Sequence, residues 1–171
     1  MTLYRSVSVA SAAGATRAVG VSLGHRELAS ADHWILSLSP APVLACTHLV
    51  QEPFRHVAIS LVTVGTFQTS DELAPAAEAA LFGKFGRAVI FPGSAGLVGT
   101  LTVGEILALS AIDKVEVLGS GPAEDSQPVD TCGFVRPQYR FGELVLTTTP
   151  AAGGMLVPFE TRDPTPCCAN H

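Results

Sequence analysis

The residues best suited to chemistry are Gly93, Ser94, Ala95 and Gly96. They follow the apolar run Ala88-Val-Ile-Phe91, and further glycines stand at positions 99 and 104. Backbone this poor in Cβ atoms turns sharply and lets a ligand come close. Successive N–H groups in such a loop, with the Ser94 hydroxyl, can grip an anion or a polar edge. Loops at the carboxyl ends of strands in α/β sheets commonly hold small molecules. The segment is therefore expected to bind one.

Other reactive side chains are scattered. His25, His33, His48 and His56 fall in the first third, and His171 ends the chain. Histidine is the common proton shuttle near neutral pH, but a lone histidine is more often a structural hydrogen-bonding residue. Asp130 lies after a polar loop and is a second candidate acid. The cysteines are Cys46, Cys132, Cys167 and Cys168. Cys132 has no local histidine and reads as an inert filler. Cys167, Cys168 and His171 are soft ligands, but adjacent cysteines lack the usual two-residue gap of a zinc site. No metal and no structural disulfide are expected. Glu105 is expected to hydrogen-bond loop N–H groups.

Composition narrows the field. The chain has 171 residues, 47% of them hydrophobic and 15% charged, with a net charge of −5. That length suits a single domain over 1–171 with a real core. So little surface charge points to a homo-oligomer. The ten Lys and Arg are dispersed, which argues against a nucleic-acid partner. No apolar run reaches the ~20 residues of a membrane helix, and the start lacks a signal-peptide core. A cytoplasmic protein with a small-molecule substrate and no cofactor is expected.

These residues need elements to position them. Segments 3–10 and 16–23 alternate around Ala12-Ala13-Gly14 and predict an N-terminal hairpin. Segments 33–39 and 43–50, split by Pro40 and Pro42, read as two short apolar strands or as a strand and a loop. Residues 56–65 form a continuous apolar run of the kind buried on both faces. Thr69-Ser70-Asp71-Glu72 predicts a helix start, with the helix over 72–85. Strand 88–91 completes a β–α–β unit with parallel strands. Residues 102–112 fit either a helix or a strand. Residues 114–119 read as a strand, and 132–137, 141–149 and 154–160 as three β-like segments.

One reading of the glycine loop is a dinucleotide fingerprint. Ser94 then replaces its first glycine, and no acid ends the following strand to bind a ribose. A second reading covers more of the chain. The run Val62-Thr-Val-Gly65-Thr66, a helix, Gly93-Ser94-Ala95-Gly96 after a strand, and Leu101-Thr-Val-Gly104-Glu105-Ile106 resembles the purine nucleoside phosphorylase and nucleosidase family. The resemblance extends loosely to Val157-Pro-Phe159-Glu160-Thr161.

What the resemblance implies is an α/β fold: a mixed, twisted central sheet with a βαβ core and few helices, similar to a shortened nucleoside phosphorylase. It makes 103–109 a strand. It implies a substrate site of Gly65, Thr66, Phe91, Ser94, Ala95, Gly96, Phe159 and Glu160, with Glu160 on ribose hydroxyls. Phe91 stands where phosphorolytic members carry an arginine, and an apolar ring cannot balance a phosphate dianion. The family's general acid lies beyond the matched segments, leaving Asp130, His171 and Glu160 as candidate catalytic groups. The implied activity is hydrolase-like, or a repurposed biosynthetic cyclisation or elimination, on a nucleoside or similar polar ring metabolite. Alternatives are a non-catalytic ligand-binding or partner-completing subunit, and a dinucleotide-binding oxidoreductase.

Overall fold

The computed structural model describes residues 4–5 and 15–162. The chain divides into two compact units, Met1–Pro92 with Gln138–Gly142, and Gly93–Pro137 with Glu143–His171. The class is α/β with mixed strand directions, and three α-helices occur among the described residues.

In chain order the first unit holds β1 (Tyr4–Arg5), β2 (Arg17–His25), α1 (Leu28–Leu36), β3 (Leu44–Val50) and β4 (His56–Thr63). It continues with β5 (Thr69–Ser70), α2 (Ala74–Phe82) and β6 (Arg87–Ile90). The second unit holds β7 (Thr100–Thr102), α3 (Val103–Leu109), β8 (Lys114–Val117), β9 (Gly121–Pro122) and β10 (Pro128–Asp130). The chain then returns to the first unit as β11 (Gln138–Arg140). It ends in the second with β12 (Glu143–Pro150) and β13 (Leu156–Pro158).

The sheet of the first unit runs β2-β4-β3-β6-β11, with every neighbour antiparallel. β4 and β6 are both antiparallel to the β3 between them, so they are parallel to each other, as the β–α–β pattern required. β4 is central and buried on both faces, which explains its unbroken apolar run. Period-2 alternation sends its odd and even residues to opposite faces.

The odd face carries the larger core. Val57, Ile59 and Leu61 pack with Val19, Val21, Ala45 and the α1 residues Ala31 and Ile35. Each of the valine, isoleucine and leucine side chains stabilises the fold by about 1.5–3 kcal/mol relative to exposure. Asp32 shares that buried helix face, four residues after Leu28 and three before Ile35. Its carboxylate accepts from both Arg87 guanidinium arms at 2.7 and 3.0 Å. A buried charge tolerates this position because the contact is bidentate and complete.

The even face takes α2. Ala76 and Ala80 pack on Ala58, and Ala77 sits directly over Gly20, where a Cβ would overlap its carbonyl. Small residues on both sides let this helix approach more closely than an ordinary helix–sheet contact.

The second unit is a mixed sheet. β12 pairs β13 antiparallel and β8 parallel; β10 pairs β13 parallel and β7 antiparallel; β8 and β9 are antiparallel. α3 starts at a complete capping box. The Glu105 backbone N–H donates to Thr102 Oγ1 at 3.2 Å, and the Thr102 N–H donates to Glu105 Oε2 at 2.7 Å.

Several expectations are corrected. Residues 33–36 belong to α1 and not to a strand, because partly buried Leu28 and buried Ala31, Asp32 and Ile35 form a stripe of 3.6-residue period. Residues 103–109 are helical, against the strand that the resemblance implied, because the capping box fixes a helix start there. β2 pairs with β4, and Tyr4–Arg5, the described part of segment 3–10, pairs with β5 and not with β2 as the expected N-terminal hairpin required; residues 6–14 lie outside the described residues. Thr69 and Ser70 are strand β5, and α2 starts at Ala74 without a side-chain cap. Residues 132–137 form no strand: Cys132 and Gly133 take positive φ of 52° and 61° and turn the chain.

Candidate functional site

Register sets up the chemistry of the even face. Ala58 of β4 lies opposite Ser22 of β2 on one side and His48 of β3 on the other. Its neighbours on the same face of β4 are His56 and Ser60. Residues diagonal across two strands are within reach of a long side chain. His56 therefore reaches Ser22, with Nε2 2.9 Å from Oγ. His48 likewise reaches Ser60, with Nε2 2.8 Å from Oγ. Two serine–histidine pairs flank Ala58 in opposite senses.

Both imidazoles are held by a backbone carbonyl at the other nitrogen. His48 Nδ1 lies 2.8 Å from the Phe85 oxygen, and His56 Nδ1 2.7 Å from the Phe54 oxygen. A carbonyl only accepts, so Nδ1 carries the hydrogen in each. In the neutral ring Nε2 is then an acceptor, and each serine hydroxyl donates to it.

The surroundings differ. His56 is fully buried and Ser22 nearly so. Phe54 closes over the His56 ring, with a centroid distance of 4.9 Å, and the Arg26 guanidinium stacks on Phe54. His48 and Ser60 are half-buried and line a cavity of about 680 Å³. Its floor includes Leu44, Cys46 and Val62, its α2 side Leu81, and its rim the loop 83–86 with Tyr139 and Phe141. The Phe85 and Phe141 rings meet edge to face at 5.8 Å.

Glycine makes the room. A Cβ on Gly86 would lie 2.8 Å from His48 Cε1 and 3.0 Å from Cys46 Cβ. A Cβ on Gly83 would lie 3.3 Å from His48 Nδ1. The loop can press its backbone against the imidazole only because these two side chains are absent.

The electrostatics favour a neutral base. Burial lowers the His48 pKa below the usual 6.5, opposed by its bond to Phe85. The ring is thus unprotonated at neutral pH and can take a proton. Cys46 hydrogen-bonds Ser60, but burial pushes its thiol up to about 12. It remains an S–H group and no nucleophile. Ser60 is the nucleophile this arrangement offers.

The residues expected from sequence have other surroundings. Gly65 donates to Thr63 Oγ1 at 3.2 Å and accepts from Arg17 at 3.2 Å. Thr66 is exposed. Phe91 is a core residue. These three belong to the first unit; Ser94, Ala95, Gly96, Asp130, Phe159 and Glu160 belong to the second. Ser94–Gly96 is a single 3-10 turn. In it the N–H groups of Gly96, Leu97 and Val98 are used by carbonyls of the turn itself, at 3.0–3.2 Å. Gly93 is demanded by packing: its φ is +83°, and a Cβ there would overlap the Leu109 carbonyl. Glu160 is half-buried and Phe159 exposed. Asp130 Oδ1 accepts from the Cys132 N–H at 2.9 Å, which holds the turn. Burial first, then Asp130, raises the thiol pKa of exposed Cys132. His171, Cys167 and Cys168 lie outside the described residues.

Among the four early histidines only His48 lines the cavity. Ser60 escaped notice in the sequence. Its signal was a hydroxyl inside an apolar strand, at the same parity as a histidine in the strand that pairs with it.

Among the described residues no three His, Cys, Asp or Glu side chains converge as a metal site. No helix among them is long and apolar enough to cross a membrane. No family model, no curated protein and no solved structure matches the chain.

Proposed function

We propose that the cavity beside β3 and β4 takes a small ring-bearing metabolite, and that Ser60 acts on it in hydrolase-like chemistry with His48 as base. The observation that carries this reading is the relay from Ser60 through His48 to the Phe85 carbonyl, open to a cavity rimmed by aromatic rings. A nucleophile, a base and a group that orients the base form the recurring pattern of covalent catalysis. On an activated acyl group, Ser60 Oγ bonds to the carbonyl carbon as its proton moves to His48 Nε2. The leaving group departs with that proton, and water then releases the acyl group by the reverse path. A carbonyl orienter, unlike a carboxylate, adds no negative charge to steady the imidazolium. Substrates with good leaving groups are favoured.

The test is a fluorophosphonate. Ser60 Oγ displaces fluoride from phosphorus, leaving a stable phosphonyl ester that peptide mass analysis locates. The expected result is one adduct on Ser60, lost in Ser60→Ala. An unlabelled Ser60 in folded protein, or equal labelling of the Ala variant, rules the reading out.

A second reading retains the nucleoside. β4, the Gly65 turn, α2 and β6 occur in the order the resemblance requires, with β4 and β6 parallel. Release of a purine base from a nucleoside panel tests it. Unchanged nucleoside affinity in Glu160→Ala removes Glu160 from that site.

A further inference from the structure

The cavity has a charge pattern that narrows its ligand. Its lining includes no aspartate or glutamate, and the only formally charged side chain among its described residues is Lys84. Lys84 is exposed and makes no ion pair among the described residues. It stands between Gly83 and Phe85, beside the ring that forms the rim. The rest of the wall is aliphatic or aromatic, apart from the Ser60, His48 and Cys46 cluster. Elsewhere acids outnumber bases, for a net charge of −5. A lone cation at the mouth of an apolar cavity, in an acidic protein, makes a local preference for one negative charge.

Building on the reading of this cavity as a small-molecule site, we infer that its ligand is a small aromatic monoanion, such as an arylalkyl carboxylate. The ring lies among Leu44, Val62, Leu81 and the Phe85–Phe141 edge. The carboxylate meets the Lys84 ammonium at the rim. A dianion such as phosphate finds only one partner there, and a cation meets the aromatic rings but also the like charge of Lys84. Because the ion pair is exposed, its contribution is selectivity rather than tight binding.

The experiment uses probes of one shape and different charge: phenylacetate, 2-phenylacetamide and 2-phenylethylammonium. Binding to the full chain is followed by the chemical shifts of the Phe85, Gly86 and Phe141 amides. Phenylacetate is expected to bind about fivefold tighter than the amide, the scale of an exposed ion pair, and the ammonium weakest. Lys84→Ala should bring carboxylate and amide together. Lys84→Arg should keep the preference, and Lys84→Glu should reverse it toward the ammonium. Equal binding of carboxylate and amide by the unaltered chain overturns this inference and leaves the cavity reading standing. So does a preference that survives Lys84→Ala. Failure of all three probes to move those amides overturns both.

Discussion

The two serine–histidine pairs around Ala58 share their chemistry and differ in their cover. In each, a serine hydroxyl donates to Nε2 and a backbone carbonyl fixes Nδ1–H. Ser22 and His56 lie wholly inside, under Phe54. Ser60 and His48 lie under a loop that carries glycine at 83 and 86 and leaves a cavity. The hydrogen-bonded constellation alone therefore does not make a site. Sealed, the arrangement is a polar bolt in the core; beside the cavity, it is the pair proposed above to react. What separates them is cover: Phe54 and Arg26 lie over one pair, and a cavity lies beside the other.

Three perturbations act on this contrast. The largest effect is expected at the sealed pair. His56→Ala leaves a cavity and orphans the Ser22 hydroxyl and the Phe54 carbonyl, with a cost of about 3 kcal/mol. Urea unfolding measures it, and fluorophosphonate labelling of the fraction that stays folded should persist. A cost below about 1 kcal/mol means that the sealed pair is not a core bolt.

Gly86→Ala attacks the open pair through its room. The new methyl meets the His48 ring and Cys46, and the neighbours must move. Overpacking of this kind costs about 1–3 kcal/mol, and Ser60 labelling should fall along with the stability. Labelling at the original rate would show that His48 does not need its present position.

The smallest effect is in pH. Burial holds the His48 pKa below 6.5 in the folded chain. The unfolded chain then binds more protons as pH falls through 6.5. The stabilisation tied to neutral His48 is complete above 6.5 and is lost below it, down to the lowered folded pKa. The slope cannot exceed about 1.4 kcal/mol per pH unit for one group. His25, also lowered by burial, adds a slope of the same sign. The readout is accordingly the difference between the unaltered chain and His48→Gln, by unfolding at pH 5 and pH 8. A variant with the same pH dependence would remove His48 from the buried, neutral state.

How much of this was legible follows from how local each feature is. β3, β4, α2 and β6 were readable because apolar runs and a small-residue helix declare themselves within a few residues. α1 was hidden by Asp32. An acid on the buried stripe breaks the apolar period unless its partner is known, and Arg87 lies 55 residues away. α3 carries its own local signal: Thr102-Val-Gly-Glu105 is a capping-box sequence, although the same residues also resemble a strand-opening motif. Glu105 does hydrogen-bond backbone as expected, at Thr102. The Ser94 loop offered glycine and a hydroxyl, but sequence could not show that the turn uses its own N–H groups. The Ser60–His48 pair depends on strand register, which no short motif encodes.

Phe85 contributes twice to the same place, by its ring at the rim and by its carbonyl on His48 Nδ1. Ring and carbonyl belong to one residue, so the proposed ligand and the His48 proton would meet at Phe85. Were an occupant of the cavity to carry the Phe85 backbone with its ring, it would move the acceptor that selects the tautomer, and by the reciprocity of linked equilibria the proton state of His48 would then register in the occupant's affinity.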